Sequence, residues 1–352
     1  LLVAEDETHE NIASKIVSYN TEEEILYLGP DENMTNELIE WVHKQAIKRG
    51  YKYARAFMSS KPVDGINHKK YGVTSEGLHV FLENVMKYIN INPSKENFTV
   101  KMTGGPDGDV ASNELKILYR KYKKTCKVIG IADGCGAAFD ETGLNWDEIL
   151  RLIHENKSIC HYNKSKLSKK KGSFVVDIKT VENLKLRDEI HSKVKADIFI
   201  PAGGRPYTVN KENASNFILE DGSMSCKAII EGANIFFTDK ARDFLQEKGI
   251  VMIKDSSANK TGVICSSYEI ISSLVLEKED FLEIKETYIK EVIEILRKRA
   301  QQEAELLLNT KKLKQEKSLT NLSKDLSFII NSITDMLLEN LLKEKDRYLK
   351  DD

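Results

Sequence analysis

The sequence predicts an α/β protein organised on a doubly wound, mostly parallel sheet, and three observations predict it. Between residues 100 and 254, short β-leaning apolar runs alternate with amphipathic helical patterns, the signature of parallel strands joined by covering helices. Glycine and small polar residues cluster where those runs end, where ligands bind in such sheets. One stretch, VKMTGGPDGDVASNELKIL at 100–118, carries strand, tight glycine turn and helix without a gap, which is how a dinucleotide-binding unit begins.

That stretch is the reference point. Glycine lets the backbone turn sharply and come close to a pyrophosphate, and the helix N-terminus then offers free N–H groups and a positive dipole end. The spacing is G-G-P-D-G-D-V-A rather than G-x-G-x-x-G, with Ala111 where a third small residue lets helix pack on strand. Asp109 suits the N-cap. The next strand, CKVIGIADG, ends at Asp133, where an acid can accept from adenosine ribose hydroxyls and repel a 2′-phosphate, favouring NAD over NADP. As a bare residue, Asp133 also fits a turn before Gly134.

In chain order, residues 1–24 are polar and acidic with a short helical signal at 11–17. An apolar run at 25–28 ends in Gly-Pro-Asp, and a helix follows with Leu38, Ile39, Val42 and Ala46 on one face. Asp31 lies in that turn, either as a capping aspartate or as a general acid/base at a strand end. Residues 51–72 are loop-like, and Thr74 fits the N-cap of a helix bearing Leu78, Val80, Phe81, Leu82 and Val85. Strands are predicted at 99–102, 127–132, 196–200, 228–231 and 251–253, with helices at 109–122, 146–156, 180–193 and 238–248. Three further strand ends carry polar loops: PAGGRP from Pro201, EGAN from Glu231, and DSSANKTG from Asp255. The run KSKLSKKKG at 164–172 reads as a solvated loop, since it is short and no aromatics interleave it. Beyond residue 270 the pattern is helical. Tyr288, Val292, Ile295 and Leu296 form one stripe, and Phe328, Ile329, Ile333, Met336, Leu337 and Leu341 another, with a polar hinge between. These stripes suit core or subunit contact.

The totals bound the function. Of 352 residues, 53 are basic and 55 acidic, which gives no field for nucleic acid or an anionic membrane. No apolar run approaches the ~20 residues of a membrane span. No signal peptide is visible, and the first residue is not methionine, so the sequence is expected to begin inside a longer one. Five cysteines without a C-x-x-C suit a reducing compartment, with cytosol and mitochondrial matrix both open. Cys160–His161 is the one Cys/His neighbour pair, and one pair is not a zinc set, so no metal is implied.

Taken together, LGPDENM, YGVTSEG, GGPDGDVASNE, PAGGRP, EGAN and SSANKTGVICSS occur in one order. They resemble the catalytic half of NAD-specific glutamate dehydrogenases, most closely the large-subunit class, over roughly residues 25–275. The resemblance implies a Rossmann-like NAD domain (75–258), an incomplete substrate-domain segment (1–74) and C-terminal helices returning to the substrate domain (259–352). It implies oxidative deamination of glutamate to 2-oxoglutarate and ammonium with NAD, the reverse amination, and a homo-oligomer. Residue by residue, Asp31 matches the aspartate that moves protons at the reacting nitrogen, and Lys61 a lysine near the cleft entrance. Thr74 matches a threonine close to the nicotinamide. Gly105, Gly108, Asp109 and Val110 match the phosphate turn, and Asp133 the ribose acid. Ala202 and Gly203 match the loop near the nicotinamide ribose, and Asn234 and Asn259 asparagines holding that ribose and the carboxamide. Ser266 matches the serine on the substrate's distal carboxylate; Asn259 lies on the substrate side as well. The glycine-rich segment with the family's catalytic lysine finds no match upstream of Asp31, so the sequence is expected to be a piece of a longer enzyme. The alternatives are a non-catalytic NAD-binding or regulatory subunit of the same fold, and a branched-chain or aromatic amino-acid dehydrogenase.

Overall fold

The computed structural model describes residues 26–30 and 34–348. The chain divides into two compact units. One comprises the described residues up to Asn67 together with Cys265–Val292, and the other His68–Ile264 with the described residues from Ile293 onward.

In the first unit, α1 (Asn36–Lys48) starts at Thr35, whose hydroxyl accepts from Leu38 N at 3.3 Å, as an N-cap should. Its buried stripe is Ile39, His43 and Ala46. The periodicity predicted Leu38 and Val42 on that face, but Leu38 is 46% exposed and His43 takes the inner position. The imidazole can do so because its Nδ1 bonds the Ala54 carbonyl at 3.2 Å. Lys61 is buried too. Its Nζ donates to Glu269 Oε1 at 2.8 Å and to the Met58 carbonyl at 2.7 Å, while the Ser60 amide donates to Glu269 Oε2 at 2.8 Å. A charge this deep persists only when paired and hydrogen-bonded, and this one is both.

The second unit holds a seven-stranded sheet in the order β4-β3-β2-β1-β5-β6-β7. The strands are β1 (Phe98–Thr103), β2 (Cys126–Ala132), β3 (Gly136–Phe139), β4 (Phe174–Asp177), β5 (Ile198–Pro201), β6 (Ala228–Ile230) and β7 (Val251–Ile253). The five predicted strands are the parallel ones. The antiparallel β3–β4 pair is not foreshadowed by the hydrophobic pattern, because each strand is four residues long and a helix and a lysine-rich loop separate them. The chain winds outward from β1 to β4, then returns to β5 on the other flank of β1. That reversal makes β1/β5 the topological switch point.

Helices cover the sheet: α2 (Val73–Tyr88), α3 (Asp109–Tyr122), α4 (Trp146–His154), α5 (Val181–Lys193) and α6 (Asp239–Glu247). The period of two divides the strands between two cores. Ile198 and Ile200 join Val100, Met102, Leu78 and Leu115 on one face. Phe199 joins Ile229, Phe217, Phe236 and Phe237 on the other. Lys101 is buried on the aromatic side, where its Nζ donates to the Val194 carbonyl (2.7 Å) and to the Ser225 carbonyl and hydroxyl (3.2 and 2.9 Å). Burial pulls this ammonium down to about 8. α7 (Thr261–Val275), α8 (Lys278–Leu313) and α9 (Leu319–Lys343) follow, with the α8–α9 break at the predicted polar hinge. Ala300, Ala304, Leu307 and Leu308 of α8 and Leu319 and Leu322 of α9 are buried, whereas Phe328 and Met336 on the later turns of α9 are exposed. No described helix is long and apolar enough to cross a membrane.

Two buried charge clusters generate predictions. His79 of α2 bonds Glu114 of α3 through Nδ1 at 2.8 Å, and its Nε2 lies 3.3 Å from Glu83. Burial opposes the imidazolium charge, but Glu114 and Glu83 outweigh it and raise the group to about 9. The resulting stability is complete below pH 6.5, the ordinary histidine value, and is lost as pH rises through about 9. Thermal melts across that window should show the parent losing more stability with rising pH than His79→Gln does; equal slopes would refute the charged pair. Arg242 forks onto Glu231 at 2.8 and 2.7 Å and reaches Asp255 at 3.4 Å. Arg242→Met strands the buried Glu231 carboxylate, while Asp255 keeps Lys254, and should cost about 3–5 kcal/mol in denaturant unfolding. Pairing it with Glu231→Leu should recover part of that loss.

Candidate dinucleotide site

The carboxyl ends of β1, β2, β5, β6 and β7 lie along one edge, and their loops interlock there. β1 leaves the sheet through Gly104, at φ +95°. A Cβ on Gly104 would sit 2.9 Å from Ala202 C and Gly203 N, and one on Gly203 would sit 2.9 Å from Gly104 Cα. The phosphate turn and the PAGGRP loop therefore meet backbone to backbone. Two bonds fix the contact: Ala202 N donates to the Thr103 carbonyl (2.8 Å), and Thr103 Oγ1 to the Gly203 carbonyl (2.6 Å).

Gly108 occupies the N-cap of α3 in extended geometry, with no side-chain cap bond. The sequence placed Asp109 there. Asp109 is instead the first helical residue, and its carboxylate accepts from Asn113 Nδ2 (3.0 Å). Burial pushes this carboxyl up, against the pull of Asn113, Lys69 and Lys116. An uncapped first turn leaves the N-terminal amides of α3 without a side-chain acceptor, the arrangement that suits an anion. Val110 packs where a Cβ on Gly232 of the EGAN loop would fall, at 3.1 Å.

Asp133 stands at the end of β2. Its Oδ1 accepts from Cys135 N (2.8 Å) and Gly136 N (3.0 Å), and its Oδ2 from Ile159 N (2.6 Å). Three of about four acceptor positions on a carboxylate are thus used. Burial pushes its carboxyl up, while these bonds pull it down. A Cβ on Gly105 would fall 2.2 Å from Asp133 Oδ2, so the phosphate turn passes directly over the acid.

On the other flank, Ala233 N donates to the Pro201 carbonyl (2.7 Å), and Asn259 Nδ2 donates to Asn234 Oδ1 (2.5 Å) and to the Gly232 carbonyl (3.2 Å). Thr74 was expected at an N-cap. Gly72, at φ +63°, holds that position, and Thr74 is the second residue of α2. Thr261 Oγ1 donates to the Val73 and Thr74 carbonyls (2.9 and 3.2 Å), and a Cβ on Gly262 would meet Thr74 Oγ1 at 2.8 Å. This clamp joins the first turn of α2 to the segment carrying Asn259.

Thr74, Gly105, Gly108, Asp109, Val110, Asp133, Ala202, Gly203, Asn234 and Asn259 therefore gather at one edge of one unit. Ser266 belongs to the first unit, where it is buried. It lies one helical turn before Glu269, which neutralises Lys61. Asp31 lies outside the described residues. Lys69 and Asn113 were missed in the sequence. Lys69 Nζ donates to the Asp107 carbonyl (2.8 Å), and Asn113 Nδ2 ties the Lys69 carbonyl (2.8 Å) to Asp109. Lys69 lay in a stretch read as loop-like and Asn113 in a helix read by hydrophobic pattern, and neither reading registers polar ties. The expected free thiols of Cys135 and Cys160 are joined in a disulfide, and Cys126, Cys226 and Cys265 are free and buried. A cavity of about 490 Å³ at the amino ends of the strands, lined by Thr99, Ala196, Lys227 and Val251 among others, includes none of the candidate residues.

Comparison with known proteins gives the family and the fold. Residues 65–321 match the family model for glutamate/leucine/phenylalanine/valine dehydrogenase. The chain is 39% identical over 275 residues to a probable NAD-specific glutamate dehydrogenase of Schizosaccharomyces pombe, a match covering 74% of this chain and 24% of that protein. It is 37% identical over 349 residues to glutamate dehydrogenase 2 of Dictyostelium discoideum, covering 92% of this chain and 32% of the other. The fold is similar to the solved structure of Plasmodium falciparum glutamate dehydrogenase 2, with a TM-score of 0.63 at 20% identity, over 89% of this chain and 62% of that one. The chain thus spans about a quarter to a third of the length of these curated relatives. With most of its length inside the matched region, the chain belongs to the glutamate/leucine/phenylalanine/valine dehydrogenase family.

Proposed function

We propose that this chain is the cofactor-binding and catalytic segment of an NAD-dependent glutamate dehydrogenase, which deaminates L-glutamate to 2-oxoglutarate and ammonium and runs the reverse amination. The observation that carries the reading is Asp133, held by three amides with Gly105 packed against it. A carboxylate so placed accepts from adenosine ribose hydroxyls and repels a 2′-phosphate, which favours NAD. The curated relatives named NAD-specific support the same cofactor.

NAD, when bound, supplies the hydride acceptor. The chain's own residues orient and shield. Gly105, Gly108, Asp109 and Val110 present the α3 amides to the pyrophosphate, and Ala202 and Gly203 pass beside the nicotinamide ribose. Asn234 and Asn259, bonded to each other, hold the ribose and carboxamide, and Thr74 limits the nicotinamide ring. Asp31 moves the proton at the substrate nitrogen, and Ser266 donates to the distal carboxylate, which selects a diacid over an apolar amino acid. The exposed apolar stripe of α9 supports a homo-oligomer in this reading.

The test is NADH oxidation by the full-length protein with ammonium and a panel of 2-oxo acids, repeated with NADPH. Turnover should be confined to 2-oxoglutarate and NADH. Turnover with apolar 2-oxo acids would overturn the role of Ser266, and NADH binding without turnover would point to a regulatory subunit. Asp133→Ser removes a charged acceptor and should raise the KM for NADH about tenfold or more while narrowing the preference over NADPH. Gly105→Ala should do similar damage with Asp133 intact, because its methyl occupies the carboxylate's place.

A further inference from the structure

The loop bearing Asp133 is tied covalently to a turn that is distant in sequence. Cys135 and Cys160 are joined across 25 residues, with Cα atoms 5.7 Å apart. Cys135 is two residues past Asp133, and Cys160 sits in the single-turn helix Ile159–His161. Of the amides that hold the carboxylate, one belongs to Cys135 and another, the sole donor to Oδ2 among the described residues, to Ile159 beside Cys160. The same turn reaches the phosphate loop, where Ser158 Oγ donates to Asp107 Oδ2 at 2.6 Å. The bridge therefore fastens together the two segments that position the acid. Both cysteines keep partial solvent contact. The other three are buried, and burial pushes their thiols up, Cys226 to about 11, which leaves them unreactive.

We propose that Cys135 and Cys160 form a reversible thiol–disulfide site that sets the affinity for NAD(H), the bridged form binding more tightly. This rests on the reading of Asp133 as the ribose acid. The oxidant is a low-molecular-weight disulfide such as oxidised glutathione. One cysteine thiolate attacks it, forming a mixed disulfide and releasing one small thiol. The second cysteine then attacks the protein-side sulfur and releases the other small thiol. Two protein thiols lose two electrons and two protons, and two small thiols gain them; an excess of a dithiol reverses the exchange. When the bridge opens, Ile159 is no longer held against Asp133, and the acid must be ordered at the expense of cofactor binding. Coupling of this kind is typically worth about 5–150-fold in affinity.

The full-length protein would be poised with oxidised glutathione or with dithiothreitol, and the Cys135–Cys160 link mapped by peptide mass. NADH dissociation constants would be measured in both states, with amide exchange followed at 133–136 and 158–161. The oxidised protein should bind NADH at least about fivefold more tightly, and reduction should speed exchange at Ile159. Cys135→Ser and Cys160→Ser should each bind at the reduced level under both conditions. Equal affinity in both states despite the mapped link overturns the proposal. So does stoichiometric zinc on the reduced protein, held by the two sulfurs with His161, whose ligand atoms lie within 4.8 Å of one another. Asp133→Asn separates the two readings. If it binds NADH as the parent does, the ribose-acid reading fails; if it weakens binding while redox state has no effect on the parent, only the thiol site fails.

Discussion

Everything at the candidate site depends on the contact of two backbones at the switch point of the sheet. Gly104 and Gly203 approach so closely that neither can carry a Cβ. Without that contact the phosphate turn and the PAGGRP loop would separate, and Gly105 would no longer lie over Asp133. A parallel sheet supplies the setting, because its loops leave from one edge, but the edge alone makes no site. It becomes one when glycines allow the loops to touch and backbone bonds hold them there.

Buried charge is the second organising feature. Lys61 with Glu269, Arg242 with Glu231 and Asp255, and His79 with Glu114 are each paired inside the protein, although Glu114 Oε2 has no hydrogen-bond partner. Such groups add little net stability when intact, yet removing one partner is costly. They therefore fix register more than they strengthen the fold. Glu231 begins the EGAN loop, and Asp255 begins the segment that ends at Asn259. Arg242 bonds both acids, and Asp255 Oδ2 also accepts from Ile235 N, which ties the EGAN loop to the segment carrying Asn259.

Much of this was legible in the sequence. The five parallel strands and the helices between them follow from hydrophobic period and glycine punctuation, and the strand-end loops could be named in order. What was not legible is relational. Asp109 and Thr74 both have the chemistry of a cap, but neighbouring glycines in extended or left-handed geometry took those positions. The antiparallel β3–β4 pair has strands too short to show a period. Lys61 looked like a cleft residue, and its burial against Glu269 depends on a helix 208 residues away. Cys135 and Cys160 carry no spacing signal, because only the fold brings them together.

That long separation bears on how the molecule is made. The first unit takes residues from either side of 68–264, so during synthesis its early part must wait for 265–292. At ribosomal speeds of about 5–20 residues per second, the wait is roughly 10–40 s. Throughout it, Lys61 has no Glu269. The sheet of the second unit can close earlier, since all seven strands have emerged by Ile253. The nascent chain thus passes through a stage in which the sheet can have closed while both units still lack their later helices, the stage at which chaperones or premature association would act on it.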